Sequence, residues 1–365
     1  VNRRQQRHLL SEKEVKVNKI SRNTLKVTAL AAVATFVLAG CAPAKVVPSL
    51  DYKACAVSDE GSWNDKSFNE SVMDGLKKSK AELGVKIADA ESNSSEDFAP
   101  NLQAMVTEKC DVIFAVGFNL VAPVNEAAKA NPDMKFVTID GWSEGNANLK
   151  AVNYAMAESS YLAGYLAAAY STTKVIGTYG GMQIDAVTAF MDGFYYGAKA
   201  WEKETGTPVK VLGWDPVKKT GDFMGDFTPN SGVSKTIAAN QVKGGADVIL
   251  PVAGDQFGAV SEAIKDAGVN GVMIGVDKDI AKTSPQYADM VLTSIEKRMT
   301  NAVYDIIKNN AVDKKDIADY LGNLANGGTA LSDFGAFDSK VSAETKAGLK
   351  KLQEGIIAGT INPLQ

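Results

Sequence analysis

From residue 52 onward, short apolar runs alternate with stretches of helix length whose apolar positions recur every three or four residues. The runs at 52–57, 85–89, 111–116 and 134–139 read as buried strands. The segments at 66–81, 97–109 and 122–130 read as the helices between them. Strands separated in this way predict βαβ units and a parallel sheet. A second series follows, with strands at 149–154, 174–179, 209–213, 246–252 and 272–276. Its helices read at 158–169, 185–204, 231–243 and 256–267, and the small residues of 158–169 predict close helix packing. After Asp277 the pattern predicts a return to the first series, with a strand at 290–295 and a helix at 298–309. A short strand near 330–334 and a helix at 342–356 complete the second. The expectation is an α/β fold of two lobes, each a parallel sheet flanked by helices. Lobe 1 takes residues 51–156 and 277–320, and lobe 2 takes 157–276 and 321–365. Crossing between lobes more than once predicts a multi-strand hinge about which the two lobes can close.

Polar chemistry collects where the predicted strands end. The turn after the first strand, Ser58 to Asn69, carries Asp59, Trp63, Asn64, Asp65, Phe68 and Asn69, more than a change of direction requires. Asp65 and Ser67 read equally well as caps of the following helix. Later strands end in Gly117-Phe118-Asn119, Asp140-Gly141-Trp142, Gly180-Gly181-Met182, Ala253 to Gly258 and Asp277. Glycines admit close backbone approach, aromatics offer stacking faces, and carboxylates accept bonds from hydroxyls or base N–H groups. Each end alone reads as turn chemistry. Five of them beside the opening turn predict one shared cleft, at the carboxyl ends of the strands where open α/β sheets hold ligands.

The start of the chain has a different character. Lys19, Arg22 and Lys26 precede the 12-residue apolar run Val27–Leu38, too short to span a bilayer but suited to a signal peptide. Leu38-Ala39-Gly40-Cys41 resembles a bacterial lipobox, which makes Cys41 the expected lipidation site. Residues 1–40 read as an upstream extension, 1–16, together with a lipoprotein signal peptide, and 41–50 as a lipid-anchored tether. The 365 residues hold 39 basic and 43 acidic side chains. Residues 1–40 contain eight of the former and two of the latter, so the remainder has 31 against 41, a net of −10. No basic run survives, which argues against nucleic acid. The one histidine, His8, also lies in the leader, so Ser-His-Asp and Cys-His catalysis and His-ligated zinc are excluded from the body. Cys55 and Cys110 sit in or beside strands. Two buried thiols are the preferred reading, with a disulfide as the alternative. Neither a P-loop nor a strand-linked G-x-G-x-x-G occurs.

Gly61-x-x-Asn64-Asp65-x-Ser67-Phe68-Asn69 resembles the signature of the basic membrane protein family, PnrA-like substrate-binding lipoproteins of ABC transporters. The resemblance continues through Val116-Gly117-Phe118, Phe136-x-x-Ile139-Asp140, the helix 158–169, Ala186-Val187-x-x-Phe190-x-x-Gly193-Phe194, Ile274-Gly275-Val276-Asp277 and Leu292 to Arg298. It implies a type I periplasmic-binding fold and a purine nucleoside ligand, adenosine, guanosine or inosine. Phe68 would stack on one face of the base, Phe257 on the other, and Asp140 would accept from the base edge. Asp277 and Lys297 would hold the ribose. The bulky Asp255-Gln256-Phe257 departs from the glycine-rich run often found there.

The resulting expectation is a monomeric, lipid-anchored receptor on the extracytoplasmic face of the cell membrane, passing its ligand to ABC permease subunits. The candidate ligand-binding residues are Asp59, Trp63, Asn64, Asp65, Phe68, Asn69, Gly117, Phe118, Asp140, Met182, Gly254, Phe257, Asp277 and Lys297. No cofactor, metal or catalytic step is expected. The alternatives are a receptor for a free sugar stacked on Trp63 or Trp142, a sensory receptor, and a glycosidase using two of Asp59, Asp65, Asp140 and Asp277.

Overall fold

A computed structural model describes residues 47–365; the export segment and Cys41 lie outside the described residues. In the first half, β1 (Lys53–Val57), α1 (Phe68–Leu83), β2 (Lys86–Ala90), α2 (Phe98–Thr107), β3 (Val112–Val116), α3 (Val121–Ala130), β4 (Phe136–Ile139) and β5 (Leu149–Tyr154) follow one another. In the second come α4 (Met156–Tyr170), β6 (Val175–Gly180), α5 (Asp185–Thr205) and β7 (Lys210–Leu212). A small ribbon, β8 (Trp214–Asp215) and β9 (Thr220–Gly221), leads to α6 (Gly232–Lys243), β10 (Val248–Val252), α7 (Phe257–Asp266) and β11 (Val272–Asp277). The chain closes with α8 (Ile280–Thr283), β12 (Val291–Lys297), α9 (Met299–Ala311), β13 (Tyr320–Gly322), β14 (Thr329–Leu331) and α10 (Ala343–Ile357).

Two six-stranded sheets result, ordered β13-β5-β4-β3-β1-β2 and β14-β12-β11-β10-β6-β7. The two orders are the same when read from β2 and from β7, so each lobe repeats one doubly wound plan. Central strands are apolar throughout, Val-Ile-Phe-Ala-Val in β3 and Val-Ile-Leu-Pro-Val in β10, because helices cover both faces. The edge strand β2, Lys-Ile-Ala-Asp-Ala, is more exposed. The switch in strand order falls between β1 and β3 in one sheet and between β6 and β10 in the other, and at such points the strand ends diverge to leave a crevice.

Close packing of the 158–169 segment is borne out. Helix α4 is buried nearly all round. Its Gly164 lies on the backbone of Phe194, and Gly197 of α5 lies on the backbone of Tyr161, so a side chain at either site would strike main chain.

The chain crosses between lobes at Tyr154–Met156, at Lys297–Met299 and between β13 and β14. These crossings bond to one another, Ala155 N–H to Gly322 O at 2.8 Å and Arg298 N–H to Gly328 O at 2.9 Å. The multi-strand hinge is therefore present, but one crossing is displaced from its expected place. The strand at 290–295 does not belong to lobe 1. It forms β12, pairs in parallel with β11, and extends the second sheet. Its Val-Leu-Thr-Ser-Ile run is buried throughout, and the short α8 supplies the crossover that keeps it beside β11. The return to the first lobe comes only after Lys297, where α9 packs on α1.

The cysteines also depart from the preferred reading. Cys55 and Cys110 form a disulfide, with Cα atoms 6.0 Å apart, in place of two free thiols. Parallel pairing of Ala54 with Val112 brings the turn ahead of β3 alongside β1, and both cysteines face the core beneath α2.

Candidate ligand-binding cleft

The carboxyl ends of the two sheets face each other across a cavity of about 770 Å³, counted to its open mouth. Four strand ends that reach it share a backbone feature. Gly117 after β3 and Gly254 after β10 have φ of 105° and 66°, and Asp140 after β4 and Asp277 at the end of β11 have φ of 55° and 66°. The equivalent ends of the two lobes thus turn alike, glycine matching glycine and aspartate matching aspartate. Asp is among the few residues that adopt this left-handed turn readily. At Gly117 a second constraint operates, since a Cβ would lie 2.7 Å from Asp59 Oδ2.

The turn after β1 is organised by two carboxylates. Asp65 Oδ1 accepts from the N–H groups of Ser67 and Glu70, both at 3.0 Å, and its Oδ2 accepts from Asn69 N–H at 2.8 Å. Asp65 is therefore the cap of α1, and this fixes the outward position of Phe68 on the first helical turn. Asp59 Oδ1 accepts from Asn69 Nδ2 at 2.6 Å and from Gly61 N–H at 2.9 Å. With its Nδ2 committed to carboxylates, Asn69 turns its Oδ1 to a buried position at which no donor among the described residues reaches it. Burial pushes the Asp59 carboxyl up to about 6 and the Asp65 carboxyl up to about 7, against the hydrogen bonds each accepts. Ser67 does not cap. Its hydroxyl crosses between lobes to donate to Asp277 Oδ2 at 2.6 Å.

Lys297, 3% exposed, donates from Nζ to Asp140 Oδ2 at 2.5 Å. Asp277 is buried, which raises its pKa; the nearby Lys297 charge and the Ser67 hydroxyl oppose the rise. The second lobe contributes a mostly apolar wall of Ile184, Val187, Phe190, Phe227, Pro229 and Val252, with Asp255 beside it. Near the mouth, Phe118 and the half-exposed Trp142 pack at 5.7 Å between ring centroids. Among the described residues no cluster of side chains is arranged to hold a metal ion.

Of the residues expected at the site, Asp59, Asp65, Phe68, Asn69, Gly117, Phe118, Asp140, Gly254, Asp277 and Lys297 line this cavity. Four do not. Trp63 is buried in the core of the first lobe, its backbone N–H held by Glu91 Oε2 at 3.1 Å. Asn64 is exposed in the turn. Met182 sits at the turn after β6, from which Ile184 and Ala186 reach the cavity in its place. Phe257 is fully buried because it shares the inward stripe of α7 with Val260 and Ile264. The second lobe presents Phe190, from α5, and Phe227, on the loop between β9 and α6; Phe227 is the one that no sequence motif covered. Its ring lies against Gly181, in a segment without periodicity, and the spacing Phe223-x-x-x-Phe227 is its one sequence signal.

A sequence profile of the Bmp family, described as PnrA-like ABC transporter substrate-binding proteins, matches residues 52–359. The ABC transporter nucleoside-binding protein BmpA of Lactococcus lactis is 31% identical over 94% of this chain and 99% of its own. An uncharacterised lipoprotein of Pyrococcus abyssi is 32% identical over 74% of this chain and 67% of its own. Among solved structures, an ABC transporter solute-binding protein from Aeropyrum pernix superposes with a TM-score of 0.76 at 23% identity. That alignment covers 85% of this chain and 92% of the other. The fold is of the type I periplasmic-binding class, and the chain belongs to the PnrA-like family of ABC transporter substrate-binding proteins.

Proposed function

We propose that this member of the PnrA-like family captures an unphosphorylated purine nucleoside between its lobes and delivers it to a membrane permease, without chemical conversion. The observation that carries the reading is a cavity onto which Phe68 from one lobe and Phe190 and Phe227 from the other open, with an apolar wall on one side and carboxylates, Asn69 and Lys297 among its polar groups. Aromatic faces suit a flat base, and carboxylates suit the donor-rich edge of a base or the hydroxyls of a ribose. Asn69 Oδ1, buried without a donor among the described residues, offers a further acceptor to the ligand. Asp59, Asp65, Asp140, Asp255 and Asp277 outnumber the single Lys297, so a phosphate would meet net repulsion. The nucleoside-binding name of the Lactococcus relative agrees with this reading.

A screen of melting temperature against inosine, adenosine, guanosine, the corresponding monophosphates, free bases and ribose tests it. A ligand at a hundredfold excess over Kd stabilises by about 2.7 kcal/mol. Stabilisation by the nucleosides but not by monophosphates or ribose is expected. Stabilisation by ribose alone would replace the nucleoside reading with a sugar receptor, and recovery of free base from inosine would replace capture with hydrolysis.

Lipid anchoring at Cys41 belongs to the same proposal, supported by the lipobox-like Leu38 to Cys41 and by the lipoprotein name of the Pyrococcus relative. Cys41→Ser is expected to move the protein from the membrane fraction to the soluble one with ligand binding unchanged. A variant that stays in the membrane fraction would refute the anchor.

A further inference from the structure

We propose that Lys278 is a positioning residue that latches the two lobes around the captured solute through the first turns of α1. The residue follows Asp277 at the end of β11, in the second lobe, whereas α1 belongs to the first. Lys278 Nζ donates to Asp74 Oδ2 at 2.8 Å and to Glu70 Oε1 at 3.1 Å. Its side chain is 15% exposed, so the contact is partly shielded from solvent. Glu70 Oε2 meanwhile accepts from Lys66 Nζ at 3.1 Å within its own lobe.

The arrangement is incomplete in either lobe alone. On α1, Glu70 and Asp74 lie one turn apart and share a face, where Lys66 balances only one of the two charges. Lys278 balances the other, and only when the lobes are together. Burial works against the charged forms, yet the contacts prevail. They hold Glu70 below the usual carboxylate range and Lys278 above the usual ammonium range.

The latch adjoins the ligand cavity without lining it. Lys278 N–H donates to Val276 O at 2.8 Å, which ties its position to the tight turn that presents Asp277 to the cleft. One residue faces the solute and the next fastens the opposite lobe. Closure by this contact slows the escape of a ligand that Lys278 never touches, so its effect falls on the dissociation rate. Because both partners approach the surface, added salt weakens it.

The proposal relies on the nucleoside reading only for its probe, inosine. The purified protein, Lys278→Met, Lys278→Arg and Asp74→Asn are compared by stopped-flow release of inosine from about 20 mM to about 500 mM NaCl, a span that shortens the screening length several-fold. Lys278→Met and Asp74→Asn are expected to release inosine about tenfold faster at low salt, with association little changed. Lys278→Met should also lose most of the salt dependence that the unmodified protein shows, and Lys278→Arg should retain it. Release at the unmodified rate from both Lys278→Met and Asp74→Asn, or an unchanged salt dependence in Lys278→Met, would overturn the latch. Failure of the unmodified protein to bind inosine would instead count against the nucleoside reading. The latch is then judged by small-angle scattering without ligand. Lys278→Met should be more expanded than the unmodified protein at low salt, and coincident profiles would overturn it.

Discussion

Lys297 Nζ sits 2.5 Å from Asp140 Oδ2 and so joins the end of β12 in one lobe to the end of β4 in the other. The same ammonium lies 5.3 Å from the ring centroid of Phe68, 5.4 Å from that of Phe190 and 5.7 Å from that of Tyr154. The bonded Asp140 carboxylate, the nearby Asp277 and three aromatic faces compensate a nearly buried positive charge. The cleft is thus built around Lys297 rather than around any single aspartate.

Loss of either member of this pair strands the other in a desolvated site. Lys297→Met and Asp140→Asn should each weaken nucleoside binding by about 2–5 kcal/mol, and the double variant should lose less than the sum. A cycle of Lys297→Met with Asp277→Asn should show weaker coupling, because Asp277 accepts from Ser67 and not from Lys297. Titration calorimetry on the two cycles decides the matter. Coupling to Asp277 that equals or exceeds coupling to Asp140 would refute the assignment of the partner.

The architecture was largely legible in the sequence for a plain physical reason. Strands such as 112–116 and 248–252 are buried on both faces, and amphipathic helices separate them, so period and length identify each element. Glycine and aspartate at the strand ends marked the cleft, because those residue types suit the left-handed turns at positions 117, 140, 254 and 277. What stayed hidden depends on contacts between segments far apart in the chain. Lys297 pairs with Asp140 across 157 residues, a choice that no local pattern encodes. Phe257 looked like a cleft residue at a strand end until the phase of α7 turned it inward. Phe227 lies on a loop, where periodicity carries no information about direction. The apolar run at 290–295 predicts a strand without naming its neighbour, so its place beside β11 in the second lobe is not legible from the pattern.

Asp59 provides a test by acidity. Its folded-state pKa of about 6 lies above the value of about 3.9 for an unfolded Asp. The folded state therefore holds this proton more tightly. The stabilisation that follows is fully present below about pH 4 and is lost as pH rises through about 6. Unfolding by urea between about pH 4 and about pH 7 should show stability falling with pH, with up to about 3 kcal/mol of the fall due to Asp59. Asp59→Asn should remove that share and leave the part that Asp65, raised to about 7, contributes between about pH 4 and about pH 7. A slope unchanged by Asp59→Asn would mean that the carboxylate is not penalised by burial.

The Cys55–Cys110 disulfide closes a loop with a sequence separation of 55 residues, for which the chain-entropy model gives about 4 kcal/mol. Cys55→Ser with Cys110→Ser should lower the urea midpoint accordingly while nucleoside affinity changes little, since the bridge lies beneath α2 and away from the cavity. Reductant should lower the midpoint of the unmodified protein and leave that of the double variant unaltered. Equal midpoints for the two proteins without reductant would mean that the bridge contributes nothing to the folded state.

Three phenylalanines distinguish stacking from core packing. Phe68 and Phe227 line the cavity from opposite lobes, whereas Phe257 is completely buried in the second lobe. If Phe68 and Phe227 stack on a purine, Phe68→Ala and Phe227→Ala should each cost about 1–3 kcal/mol of binding, by analogy with base–aromatic stacking on single strands. Both should retain most of their resistance to urea. Phe68→Tyr and Phe227→Tyr should bind nearly as well as the unmodified protein, because the aromatic face survives. Phe257→Ala should show the reverse, losing about 3–5 kcal/mol of stability while its folded fraction binds with little change. Both quantities are to be measured on the same purified samples. Should Phe68→Ala lose stability like Phe257→Ala and keep its affinity, then Phe68 is a packing residue and the base lies elsewhere in the cleft.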